Sequence, residues 1–189
     1  TVGETRYVYD TAGQLRMTVD PTGVRSWMLY DEAGRKVADV DGNGTLTEYG
    51  YDGAGRVGYQ VTYATAAKLS GLVSSAGVAN LKATLADVRP TQNALDARTW
   101  RDHDTAGRLV KQAMSVGTGT QVAVTRWFYD GASQLEKMVA YADLVTAPER
   151  GVVALGTPSS TPDQDRVTRY FHDADGLQVG VLDAEGYLS

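Results

Sequence analysis

The sequence predicts a mainly β fold: an antiparallel strip of β-hairpin repeats, interrupted by one helical insertion. Three observations predict it. The phrase aromatic-Asp-x-Ala-Gly starts at Tyr9, Tyr30 and Tyr51 and returns in degenerate form at His103, Tyr129 and His172. Tyr7 and Tyr9, Met28 and Tyr30, Tyr49 and Tyr51, and Trp127 and Tyr129 stand two apart before the Asp, so each pair projects from one face of a strand. The D-x-x-G that closes each phrase is a turn with a mechanism, because Asp bonds its own backbone two residues on and Gly supplies the positive φ.

Residues 1–63 hold the first three copies, spaced 21 residues apart. Ten residues after Asp10, Asp31 and Asp173 come Asp20 in DPTG, Asp41 in DGNG and Asp183 in DAEG, so each period carries two turns. Leu15, Met17 and Val19 alternate on the way out of the first. An isolated two-stranded hairpin is marginal in water, so neighbouring repeats are expected to pair edge to edge in a continuous antiparallel sheet.

Residues 64–96 read as a helical insertion. Leu69, Leu72, Val73, Ala76, Leu81, Leu85 and Val88 recur three or four apart, Pro90 supplies a stop, and Gly71 and Gly77 divide the pattern in two. Such a piece is expected to cover a sheet face or blunt an edge, with binding of a partner as the other reading. Residues 97–142 return to the repeat. There Ser133 replaces the turn glycine, and a non-Gly residue held left-handed costs about 1 kcal/mol, which predicts the most distorted turn of the set. Residues 143–164 hold three of the five prolines and read as an exposed, irregular loop; residues 165–189 carry a last, truncated copy.

Composition excludes several function classes. The 189 residues are 42% hydrophobic with a net charge of −5, which argues against disorder. Eighteen basic against 23 acidic residues, with no Lys/Arg run, argue against nucleic acid as a partner. No apolar stretch is long enough to span a membrane, so membrane insertion is not expected. Cysteine is absent, which excludes disulfides and thiolate metal sites. The opening at Thr1, without a charged-then-apolar leader, reads as a stretch excised from a larger chain.

The pattern G-x-x-x-x-Y-x-Y-D-x-x-G-R-L, present as GTLTEYGYDGAGRV and in part as HDTAGRLV, resembles the YD repeat of bacterial RHS proteins. It is similar also to the repeats of Tc-toxin C components and animal teneurins. The resemblance covers residues 1–63, 97–142 and 165–189, with departures at Lys36, Ser133 and Leu177. It implies a strip of β-hairpins that spirals into a hollow shell, often around a C-terminal toxin. In RHS proteins a D-P-x-G motif near the shell's end is associated with self-cleavage; here DPTGV at residues 20–24 lies one period inside the array and reads as a turn.

No residue set stands out for catalysis, cofactor binding or a metal. Asp39, Asp41, Asn43 and Gly44 begin like a calcium loop, but Gly50 stands where a bidentate Glu is needed. His103 and His172 occupy the tyrosine slot, and Asp104 and Asp173 beside them belong to turns. The aromatics read as a ladder of rings packed across neighbouring strands, or as a sugar-binding strip with Trp27 and Trp127 as its test positions. The reading is a non-enzymatic structural segment of a large exported bacterial protein, secreted or at the cell surface, whose partners are the rest of its own chain and an enclosed cargo. The alternative is a cell-surface adhesion or carbohydrate-binding module built on the same repeats.

Overall fold

The computed structural model describes residues 3–74, 76–117, 119–151 and 154–189. Its strands are β1 (Arg6–Tyr9), β2 (Leu15–Val19), β3 (Arg25–Tyr30), β4 (Lys36–Val40), β5 (Leu46–Tyr51), β6 (Val57–Thr62), β7 (Ala97–His103), β8 (Leu109–Val116), β9 (Gln121–Tyr129), β10 (Leu135–Ala140), β11 (Val145–Thr146), β12 (Arg166–His172) and β13 (Gln178–Leu182). Their order in the sheet follows the chain, β1 to β10 and then β12 and β13, with β11 paired to β9. The pairings are antiparallel, as the two-turn period requires.

One device makes the turns. Asp10, Asp20, Asp31, Asp41, Asp52, Asp104, Asp130, Asp173 and Asp183 each donate their N–H to the carbonyl four residues on and accept the N–H of the residue three on. Each also offers a carboxylate oxygen to the N–H four residues on, as Asp10 does for Gln14 at 3.0 Å. The polar groups of the tight loop are thereby paired within the loop itself, which is why the bend forms from local sequence. The pairing skips a residue beside the phrase aromatic, at Val8/Tyr9, Leu29/Tyr30, Asp102/His103 and Phe171/His172. The extra residue is on the partner strand, at Arg16, Val37, Val110 and Val179, and a bulge of this kind bends that strand and re-aims its side chains.

The turn at Ser133 corrects an expectation. Ser133 takes a left-handed φ of 68°, yet Asp130 N–H reaches Gln134 O at 3.0 Å and Ser133 N–H reaches Asp130 O at 3.1 Å, as in the glycine turns. The cost is held as backbone strain rather than as altered geometry. Ser133→Gly is expected to stabilise the chain by about 1 kcal/mol in chemical denaturation; an unchanged midpoint would show that the serine is unstrained.

The elements fall into two compact units, one of Thr1–Tyr51 and Gln60–Ala97, the other of Asp52–Tyr59 and Arg98–Ser189. In the first unit, Met17, Trp27, Leu29, Ala38, Val40, Leu46, Val61 and Tyr63 are buried, together with Ala67, Leu72, Ala83 and Val88 of the insertion. The insertion therefore covers a sheet face. Its helical character is far smaller than predicted: a 3-10 turn at Leu69–Gly71 and one helix, α1 (Leu85–Val88). The apolar spacing that suggested a long helix serves an irregular path, since Leu72 and Val88 are buried while Leu69 and Val78 are exposed. Gly71 is needed there because a Cβ would meet Asp87 O at 2.7 Å. Asp87 accepts both the N–H and the hydroxyl of Thr84 to start α1, and Arg89, pushed to ψ 125° before Pro90, ends it.

In the second unit the core is Tyr59, Trp100, Ala113, Val122, Val124, Val139 and Leu155. Leu155 belongs to the Pro-rich segment, so that loop is not wholly exposed. Its chain crosses the sheet where Gly151 O accepts the Trp100 indole N–H at 3.2 Å.

Candidate functional site

The repeating feature of this chain is a contact between successive hairpins, built on the turn aspartate. Arg16 Nε donates to Asp10 Oδ2 at 2.7 Å, its guanidinium lies 5.2 Å from the Tyr30 ring, and Tyr30 OH donates to Leu15 O at 3.0 Å. The next step repeats it: Arg35 to Asp31 at 2.8 Å, Arg35 to the Tyr51 ring at 4.9 Å, Tyr51 OH to Lys36 O at 2.7 Å. In the second unit Arg108, Asp104 and Tyr129 do the same at 2.7 and 4.5 Å, with Tyr129 OH on Leu109 O at 3.1 Å. At these three steps a phrase supplies an Asp and an Arg to its own turn, and the next phrase supplies a tyrosine to it.

Cation and ring attract at about 0.5–1 kcal/mol when exposed, and a hydroxyl-to-carbonyl bond adds about 1 kcal/mol. This corrects the expectation of a ladder of packed rings. Rings do meet at Tyr59 and Trp100, with centroids 5.4 Å apart. Guanidinium groups take the place between the tyrosines. The signal was present in sequence as the Arg after the turn Gly at Arg35, Arg56 and Arg108, read there only as part of a repeat phrase. Arg16 shows a variation: Gln14 holds the slot after the glycine, and Arg16, the residue skipped in the pairing of β1 and β2, reaches back instead.

His103 marks an incomplete step. It stands in the tyrosine slot facing Asp52 and Arg56, but its Nδ1 is buried without a hydrogen-bond partner, 3.8 Å from Asp52 Oδ2. Asp52 meanwhile accepts Arg56 Nε at 2.8 Å. Asp104 and Asp173 serve their own turns, so neither forms an acid–base pair with its neighbouring histidine.

The half calcium loop resolves into two unrelated uses. Asp39 Oδ2 meets Lys36 Nζ at 2.8 Å and accepts Tyr49 OH at 2.9 Å, while Asp41 accepts the N–H groups of Asn43 and Thr45. Burial, and then the Asp39 carboxylate, push the Tyr49 phenol up to about 12. Asp20 of DPTGV likewise caps an ordinary turn. Trp27 is only 6% exposed, which removes it from any sugar-stacking surface; Trp127 is half-buried.

Two aspartates that sequence reading missed close the insertions. Asp96, 1% exposed, accepts Ala64 N–H at 2.9 Å and Asn93 N–H at 2.8 Å. Asp165 accepts Ala142 N–H at 2.9 Å and Thr161 N–H at 3.0 Å. Each lies immediately before the strand that resumes the array, so each insertion starts and ends at one carboxylate.

The ladder carboxylates sit below their ordinary range. Asp10, Asp31 and Asp52 are lowered chiefly by the backbone N–H four residues on, and then by the arginine. For Asp104 desolvation opposes the shift, and the Arg108 backbone and side chain outweigh it. A carboxylate depressed in the folded state contributes stability above its unfolded value and loses it as pH falls through the folded one. Melting temperature should therefore drop below the ordinary value of 3.8, and less steeply in Asp31→Asn than in the parent chain. Superimposable acid profiles would remove these carboxylates as contributors.

No family model matches the chain, and no curated protein matches it. Among solved structures it is similar to a chain of the Photorhabdus luminescens Tc holotoxin pore, at 14% identity and a TM-score of 0.49 over 97% of its length. The chain is similar also to the complex of TcdB2 and TccC3 without the hypervariable C-terminal region, at 15% identity, a TM-score of 0.49 and 97% coverage. It spans 9% of the length of each of these two chains. Among the described residues no helix is long and apolar enough to cross a membrane.

Proposed function

We propose that the chain is a non-catalytic structural segment of an RHS/YD-repeat β-shell that encloses or carries a toxin or other cargo in a large exported bacterial protein. The observation that carries this reading is the Asp–Arg–Tyr contact, which recurs at three steps of the array and at each joins a hairpin to the one before. Its groups are spent on one another: each ladder carboxylate already accepts backbone N–H groups and a guanidinium. Such an arrangement makes a surface that extends by repetition, which suits a casing better than a site for turnover.

The test is protease protection in the parent polypeptide. Sequence following the repeats should resist digestion while the hairpin array is intact and become sensitive when Arg35→Ala and Arg108→Ala open it. Equal sensitivity before and after would contradict enclosure. Glycan-array binding abolished by Trp127→Ala would point instead to the adhesion module.

A further inference from the structure

The second unit gathers cations on one face of its sheet. Lys111 of β8 stands directly opposite Arg126 of β9, and Lys137 of β10 directly opposite Arg169 of β12. Phe128 of β9, opposite Lys137, connects the two pairs: the Arg126 guanidinium lies 4.8 Å and the Lys137 ammonium 4.4 Å from its ring centroid. Residues directly opposite share a face, as do Arg126 and Phe128 two apart on β9, so four adjacent strands, spaced ~4.8 Å, carry four positive charges in a stepped row that borders the buried Ala113, Val124 and Val139. Sequence gave no sign of it, because these residues are dispersed through the chain and meet only through strand register.

The row runs against local energetics. Like charges directly opposite on neighbouring strands repel, and the chain as a whole carries a net charge of −5. Lys111 has partial relief, with Nζ donating to Leu155 O at 2.6 Å and lying 3.5 Å from Asp102. Arg126, Lys137 and Arg169 have no carboxylate partner among the described residues, and Arg126 Nε is buried without an acceptor. The Phe128 ring offsets part of the cost through its quadrupole, but it supplies no negative charge.

We infer that this face of β8, β9, β10 and β12 is a docking surface for an acidic polypeptide segment, whose carboxylates complete the row. A guanidinium and an ammonium set beside an ordered ring are the donors that carboxylates take, with the arginine fork able to hold one in two bonds. Single-stranded nucleic acid would need open aromatic faces on which bases stack, and the central ring of this row is already occupied by its two cations. The surface is independent of whether the strip encloses a cargo.

The test is fluorescence anisotropy of a labelled oligo-glutamate peptide titrated with the chain at low and high salt. Expected is saturable binding that weakens as salt rises, loses about tenfold in Arg169→Gln and is abolished when Arg126→Gln and Lys137→Gln are added. Arg169 is exposed, so its single substitution is read on a folded chain even where the triple variant is unstable. Lys68→Gln with Lys82→Gln, in the other unit, should leave binding unchanged. Absence of binding at low salt, or binding indifferent to Arg169→Gln, overturns the inference. So does tighter binding of oligothymidylate that the same substitutions remove.

Discussion

Trp100→Ala is expected to cost about 3–5 kcal/mol, enough to leave the second unit largely unfolded at moderate denaturant. The indole is fully buried on β7, stacks against Tyr59 with ring centroids 5.4 Å apart, and donates Nε1–H to Gly151 O at 3.2 Å. Removing it opens a cavity in the core and takes the partner from a carbonyl on the Pro-rich segment. Trp100→Phe separates the two effects. It retains most of the ring packing and should lose about 1–2 kcal/mol, chiefly the hydrogen bond and the residual volume. Equal midpoints for wild type and Trp100→Ala in guanidinium unfolding would show that this residue is not the centre of its core.

Arg89→Ala carries the second large effect, in the first unit. Glu48 sits on the buried face of β5 at 5% exposure, held by Arg89 through two bonds of 2.9 Å and by Tyr63 OH at 2.6 Å. Loss of the guanidinium strands a carboxylate in the core. Breaking a buried pair from one side costs about 3–5 kcal/mol, and the lower part of that range is expected because Arg89 is itself partly exposed. Replacing both partners together, as Glu48→Leu with Arg89→Leu, should recover much of the loss, since no charge is then left unpaired. A single variant as stable as the parent, or a double variant worse than the single, would contradict this assignment.

What the sequence disclosed and what it concealed divide along chain distance. The turns were legible because Asp, Gly and the N–H groups they satisfy lie within five residues of one another, and the 21-residue spacing made the pattern visible. Hidden were contacts whose partners are far apart in the chain: Arg89 with Glu48, Ala64 with Asp96, Ala142 with Asp165. The path of residues 64–96 was misread because apolar residues three or four apart satisfy a helix and also a coil that dips repeatedly into a core. Only tertiary packing chose between them, and Gly71 held close to Asp87 O belongs to the coil.

The tyrosine slot is an intermediate case. Its recurrence was obvious and its partner was not, because alternation along a strand predicts rings beside rings. In the fold the ring lies instead against the arginine of the preceding hairpin, which no alternation along its own strand foretells. His103 is consistent with that role: an imidazole fills the slot but does not supply the hydroxyl that Tyr30, Tyr51 and Tyr129 place on a carbonyl.

The most direct measurement is a set of nuclear Overhauser contacts from the ring protons of Tyr30, Tyr51 and Tyr129 in the folded chain. Cross-peaks to the side chains of Arg16, Arg35 and Arg108 respectively are expected, the same contact at these three steps of the array. Ring protons that contact only other aromatic rings, or arginines of their own turn, would contradict the joining of successive hairpins by this ladder.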